Sequence, residues 1–207
     1  MGYRSASSRL RLIGISVIYE QNSISWRSAN EIPKLYRPSL PDWKSTIIFG
    51  NLPTEFLPMY RELVTEITLR QRPFQVRVEE PFASFGAGFP YVGFNLNSEI
   101  LKKLSNTLHA SLLPTMQYYV ESRQANRSMR ETLTTKLKRN PRVEITQCAS
   151  EDAATQTLEL LKETWGDKLG DLTAVGMGLI KFNETQRPNE KPEHELEVYP
   201  FAGEESS

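Results

Sequence analysis

Hydrophobic residues along the chain repeat every second position in some segments and at helical spacing in others, and the switches divide it into elements. Residues 10–20, LRLIGISVIYE, are dense in Ile and Val and predict a first strand. A polar stretch containing Pro33, Pro38 and Pro41 follows, longer than a turn needs. Residues 45–53, STIIFGNLP, predict a short second strand closed by Gly50 and Pro53. Thr54 then stands where a helix N-cap belongs, because Phe56, Tyr60, Leu63 and Ile67 recur at helical spacing, and Pro58 falls early enough to be tolerated. Residues 74–80, FQVRVEE, alternate up to their acidic end as a half-buried strand does. Residues 81–97 offer two further strands around the Gly-Ala-Gly at 86–88, with Phe82, Phe85 and Phe89 read as core. Asn97 or Ser98 caps a helix with the stripe Ile100, Leu101, Leu104, Leu108 and Leu112, which Pro114 is expected to end.

Residues 142–148 predict another strand, running into a helix capped at Ser150 with Glu151 and Asp152 in its first turn, where carboxylates complement the helix dipole. Residues 171–182 and 194–201 read as closing strands, and 202–207 as a frayed tail. Hairpins with few parallel crossovers, and helices set between them, point to an α+β fold with helices packed on antiparallel sheet.

Composition narrows the picture. The 207 residues, 39% hydrophobic and 24% charged, suffice for one domain over residues 1–207, built as a single body or as two lobes sharing a core. Twenty-five Lys and Arg balance twenty-five Asp and Glu, so no global field draws nucleic acid or an anionic membrane. A local excess does exist: residues 122–142 hold seven Lys and Arg against Glu131 alone, either a solvated segment or a rim that attracts an anion. Cys148 is the one cysteine, which excludes an internal disulfide, and His109 and His194 have no spaced ligand partners, so no metal and no cofactor are expected. The first apolar run is broken by Gly14 and Ser16 and ends in Glu20, which fits neither a signal peptide nor a membrane span. The expected compartment is the cytoplasm, with no membrane partner.

The segment NPRVEITQCASEDAATQTLELL, residues 140–161, carries the most unusual chemistry, because Arg142 and Glu144 alternate along what reads as a buried strand. A buried cation or carboxylate is destabilising unless paired.

In their order, the segments STIIFGNLP, RPFQVRVEEPFASFGAGFPYVGFNL, PRVEITQCASEDAA and VGMGLIKF with VYPF resemble those of the two-histidine phosphoesterase superfamily, the 2′,5′-RNA ligase-like proteins and cyclic phosphodiesterases. The resemblance spans residues 10–201, with the first histidine-x-threonine motif falling at 44–49 and the second at 141–148. It implies a bilobal fold of antiparallel sheets, with helices packed outside and a central cleft. At the second motif Arg142 occupies the histidine position and Glu144 the threonine position. At the first, one register supplies Ser45 and Ile47 and the other Lys44 and Thr46. Neither register holds a histidine.

The family's in-line attack on a phosphodiester needs two groups that titrate near neutrality. Arginine cannot exchange a proton there and an unperturbed glutamate is already ionised, so the hydrolysis is expected to be lost. Period two would set Arg142 and Glu144 together in the cleft, with Val143 and Ile145 toward the helices. The expectation is a small organic substrate, anionic or carbonyl-bearing, held by Arg142, with Glu144 moving a proton in cofactor-independent isomerase, cyclase or lyase chemistry. Lys44, Ser45, Thr46, Trp43 and Tyr91 would line its site. Residual 2′,3′-cyclic or 2′,5′-phosphodiesterase or RNA-binding activity is the lesser alternative, and a binding module without chemistry the third.

Overall fold

The computed structural model describes residues 11–21, 45–85, 90–122, 142–165, 170–183 and 195–203. In chain order they form β1 (Arg11–Tyr19), β2 (Ser45–Pro53), a 3-10 turn (Thr54–Phe56), α1 (Leu57–Arg70), β3 (Phe74–Ser84), β4 (Tyr91–Asn97), α2 (Glu99–Ser122), β5 (Arg142–Gln147), α3 (Glu151–Trp165), β6 (Asp171–Asn183) and β7 (Glu195–Pro200). The seven described strands join one antiparallel sheet in the order β2-β1-β6-β3-β4-β5, with β7 also paired to β6. The fold is α+β, as the segment order predicts.

One face of this sheet makes the core. Ile13, Ile15 and Val17 of β1, Phe74, Val76 and Val78 of β3, and Val92, Phe94 and Leu96 of β4 cluster with Tyr60 and Val64 of α1, the Leu101–Leu104–Leu108–Leu112 stripe of α2, and Ala154 and Leu161 of α3. Period two in the strands and helical spacing in the helices converge on that layer, each large aliphatic side chain contributing on the order of 2 kcal/mol by burial. The opposite face carries the alternate positions. Ser16 there lies opposite Gly178 and Ile18 opposite Gly176, and the Ser16 hydroxyl donates to the Gly178 carbonyl at 3.3 Å.

β6 is shared along its length. Asp171–Ala174 pair with β3, and Gly176–Lys181 pair with β7. The handover falls at Val175, whose carbonyl accepts the Phe201 N–H at 2.9 Å, while the Phe201 ring packs 5.6 Å from that of Phe74. Gly176 sits at this junction because a Cβ there would stand 2.6 Å from the Tyr199 carbonyl oxygen.

Three local expectations need correction. Thr54 does not cap α1; it opens the 3-10 turn, and Pro58 occupies the first turn of the helix that follows. Pro114 does not end α2, which continues to Ser122. Residues 74–84 form one strand rather than two, because β3 runs through Glu79, Glu80 and Pro81 with a register shift between Val78 and Pro81. The other two caps hold: Ser98 Oγ accepts the Leu101 N–H at 3.4 Å and Ser150 Oγ the Ala153 N–H at 3.2 Å.

α1 is pinned to β7 by Arg61, which donates from Nε and Nη2 to the two Glu197 carboxylate oxygens at 2.8 and 2.6 Å. The Tyr199 hydroxyl also donates to Glu197, at 3.1 Å, and Lys181 Nζ stands 3.4 Å away. These donors, Arg61 foremost, hold the Glu197 carboxyl down at about 2. A depressed carboxyl contributes stability that is complete above its ordinary value of 4.5 and is lost as pH falls through about 2.

Two outcomes follow in unfolding experiments. Glu197→Gln lowers stability at neutral pH, and its deficit relative to the native chain closes as urea titrations are taken from pH 4.5 down to 2; a deficit that stays constant with pH would mean the network is not held by charge. Gly176→Ala lowers the unfolding free energy by about 1–3 kcal/mol, since backbone must shift to admit the methyl.

Candidate functional site

The face away from the helices acquires its chemistry from strand register. In β5, Val143 lies opposite the core residue Phe94, so the flanking positions Arg142 and Glu144, opposite Asn95 and Gly93, belong to the other face. In β4, Val92, Phe94 and Leu96 are core, which assigns Tyr91 and Gly93 to that same outer face.

β3 reaches it by a different route. Phe74, Val76 and Val78 face the core, and unbroken alternation would send Phe82 there too. Between Val78 opposite Leu96 and Pro81 opposite Phe94, however, β3 holds one residue more than β4. This bulge reverses the parity: Pro81 is buried, and Phe82, half-buried, lies opposite Gly93. Proline suits the position because a bulge does not demand its missing N–H. Glu79 in the bulge accepts a 2.6 Å hydrogen bond from Asn97 Nδ2. The expectation that Phe82 is core is therefore wrong, and the Glu-Glu-Pro interruption of the alternating pattern is the signal that could have shown it.

Arg142, Phe82 and Tyr91 meet on the outer face. The Arg142 guanidinium carbon lies 4.6 Å from the centre of the Phe82 ring, and Nη1 donates a long hydrogen bond of 3.5 Å to the Tyr91 hydroxyl. Tyr91 in turn meets Phe82 edge to face, with ring centres 5.9 Å apart at 84°. Gly93, opposite both Phe82 and Glu144, places no side chain between them. Arg142 is half-buried and has no carboxylate partner among the described residues. Its Nε is closed off from solvent and has no acceptor there either.

The ring and the hydroxyl offset only part of this arrangement. A cation over an aromatic face gains about 0.5–2 kcal/mol. A buried donor left without an acceptor costs about 1–3 kcal/mol. A half-buried guanidinium without a carboxylate partner among the described residues keeps planar donors and a charge that its contacts with Phe82 and Tyr91 do not use.

The remaining expected site residues fall as follows. Ser45, Thr46 and Ile47 belong to β2, opposite Ile18, Val17 and Ser16. Val17 is a core position and Ile18 and Ser16 are positions of the outer face, so backbone register assigns Ser45 and Ile47, rather than Thr46, to the side that carries Arg142. Trp43 and Lys44, the basic residues 123–141, the Gly-Ala-Gly at 86–88 and His194 lie outside the described residues. His109 is buried on α2. Cys148 is buried at the end of β5, its N–H donating to the Pro90 carbonyl at 2.7 Å. Among the described residues no cluster of His, Cys, Asp and Glu could hold a metal ion, and no helix is long and apolar enough to cross a membrane.

The chain is similar in structure to TT0787 of Thermus thermophilus, a crystal structure with a TM-score of 0.61 and 14% sequence identity, over 93% of this chain and 99% of that one. At that identity the likeness concerns the fold. No family model matches the sequence, and no curated protein matches it.

A cation kept without a counter-ion is a cost to folding. Arg142→Met, which keeps the apolar stem and removes the charge, is expected to raise the urea-unfolding free energy by about 1 kcal/mol. A loss of similar size would identify Arg142 as a structural anchor instead.

Proposed function

We propose that this protein binds a small organic anion at Arg142 and performs cofactor-independent proton transfer on it, of the isomerase, cyclase or lyase type. The observation that carries the reading is the half-buried Arg142 guanidinium, laid on Phe82, linked to Tyr91 and lacking a carboxylate partner among the described residues. Arg142 orients the anion and stabilises charge as it develops, which a fixed cation at the edge of an apolar face does well without a metal. Glu144, two residues along β5 and on the same side by register, is the proton-transfer group.

The scaffold we infer is a divergent two-histidine phosphoesterase fold of two lobes. The handover along β6 supports it: β2-β1-β6-β7 and β6-β3-β4-β5 are two four-strand sets that share one strand, with the first-motif strand β2 and the second-motif strand β5 at their outer edges. Ser45 and Ile47 are the first-motif residues this arrangement favours, and Arg142 and Glu144 the second. Having no histidine at either position, such a site has no titrating pair for phosphodiester hydrolysis.

The test pairs two measurements on the full chain. In isothermal titration, small carboxylates and phosphates are screened for binding that Arg142→Ala abolishes and Glu144→Gln preserves. In parallel, hydrolysis of a 2′,3′-cyclic nucleotide and a short 2′,5′-linked oligonucleotide is assayed. Arg142-dependent binding of a small anion without hydrolysis supports the proposal. Turnover of the phosphodiesters that both substitutions abolish would contradict it. RNA as the ligand would be recognised by an affinity that falls steeply with salt.

A further inference from the structure

The directions of the Arg142 donors limit which anion fits. We infer that the site selects a flat monocarboxylate, an aromatic or conjugated acid, over a phosphate and over a carboxylate on a bulky saturated body; this rests on the anion-binding reading above. Of the three guanidinium nitrogens, Nε is closed off from solvent, and Nη1 spends one N–H on the Tyr91 hydroxyl. The donors left for a ligand are the outward N–H groups of Nη1 and Nη2, a parallel pair whose spacing matches the two oxygens of a single carboxylate.

Tyr91 adds a third donor. Its oxygen accepts from Arg142, so its own proton turns elsewhere and can bond the ligand anion from the side. The described contacts of the cluster supply one cation, which neutralises one negative charge. A phosphate near neutrality brings close to two charges and three or four oxygens, more than one guanidinium and one hydroxyl can satisfy.

Flatness follows from Phe82. Its ring lies against the cation, with the guanidinium carbon 4.6 Å from the ring centre, so one side of the group already rests on an aromatic surface. A planar π-system approaching from the side away from Phe82 would place the cation between two rings, while its carboxylate meets the Nη donors. A saturated ring of equal size cannot make the same approach. Tyr91, held edge-on to Phe82 at 84°, walls the side. Phe82 and Tyr91 are then the specificity-determining residues.

The probes are cinnamate, cyclohexanecarboxylate and inorganic phosphate, titrated into the full chain by calorimetry at constant ionic strength, with Arg142→Lys, Phe82→Leu and Tyr91→Phe alongside. Cinnamate is expected to bind about tenfold or more tightly than either other probe. Arg142→Lys, which keeps the charge and loses the paired donors, and Phe82→Leu, which keeps bulk and loses the ring, should each weaken cinnamate about tenfold. Tyr91→Phe should weaken it less, with unchanged preference for the flat acid. Circular dichroism checks that each variant is folded, and any that is not is replaced by competition between probes on the native chain.

If phosphate binds best and still needs Arg142, the carboxylate inference falls while the anion site stands. If cinnamate and cyclohexanecarboxylate bind alike through Arg142, flatness falls. If none of the probes binds, or binding survives Arg142→Lys and Arg142→Ala undiminished, both the inference and the reading beneath it are wrong.

Discussion

An extra residue in β3, accommodated between Val78 and Pro81, turns Phe82 out of the core and onto the sheet face that carries Arg142. Everything distinctive about that face depends on this reversal of parity. Without it Phe82 would join Phe74, Val76 and Val78 beneath the helices, and the Arg142 guanidinium would have no ring to lie on. The bulge is itself held in place, by the Asn97 amide on Glu79 and by a proline that a regular inner strand would not accept.

Opposed tendencies meet at Arg142. The ring and the Tyr91 hydroxyl hold the guanidinium in one orientation, while its shut-off Nε and uncompensated charge work against folding. Since the ring contact gains about 0.5–2 kcal/mol and the orphaned donor costs about 1–3 kcal/mol, the group is held in place without being satisfied there. That combination of fixed geometry and unmet electrostatics sets Arg142 apart from Arg61, whose Nε and Nη2 both donate to the Glu197 carboxylate.

The sequence made the elements legible because period does not depend on context. Ile13, Ile15 and Val17, the α2 leucines and the Ser98 and Ser150 caps all stand where spacing puts them. The strand that carries Arg142 and Glu144 was legible for the same reason. Phe82 was not, because the alternating rule breaks at Glu79–Glu80 and an added residue leaves no trace in composition. Pro114 misled because a proline suggests a stop, whereas the α2 leucine stripe and Met116 carry the helix past it by packing in the core. Which of Ser45, Thr46 and Ile47 share a side of β2 needed a partner strand, since register is a property of two chains of residues and not of one.

Arg142 lying over Phe82 with its charge unpaired is the central claim, and the most direct measurement of it is the arginine side-chain proton–nitrogen correlation spectrum of the ligand-free protein. It should contain one Nε–H resonance, assigned by its loss in Arg142→Lys, that exchanges slowly because the atom is closed to solvent. Protons of that guanidinium should be shifted upfield by the Phe82 ring current and return to ordinary positions in Phe82→Leu. An Arg142 signal at ordinary shift and in fast exchange, unaffected by Phe82→Leu, would contradict the account.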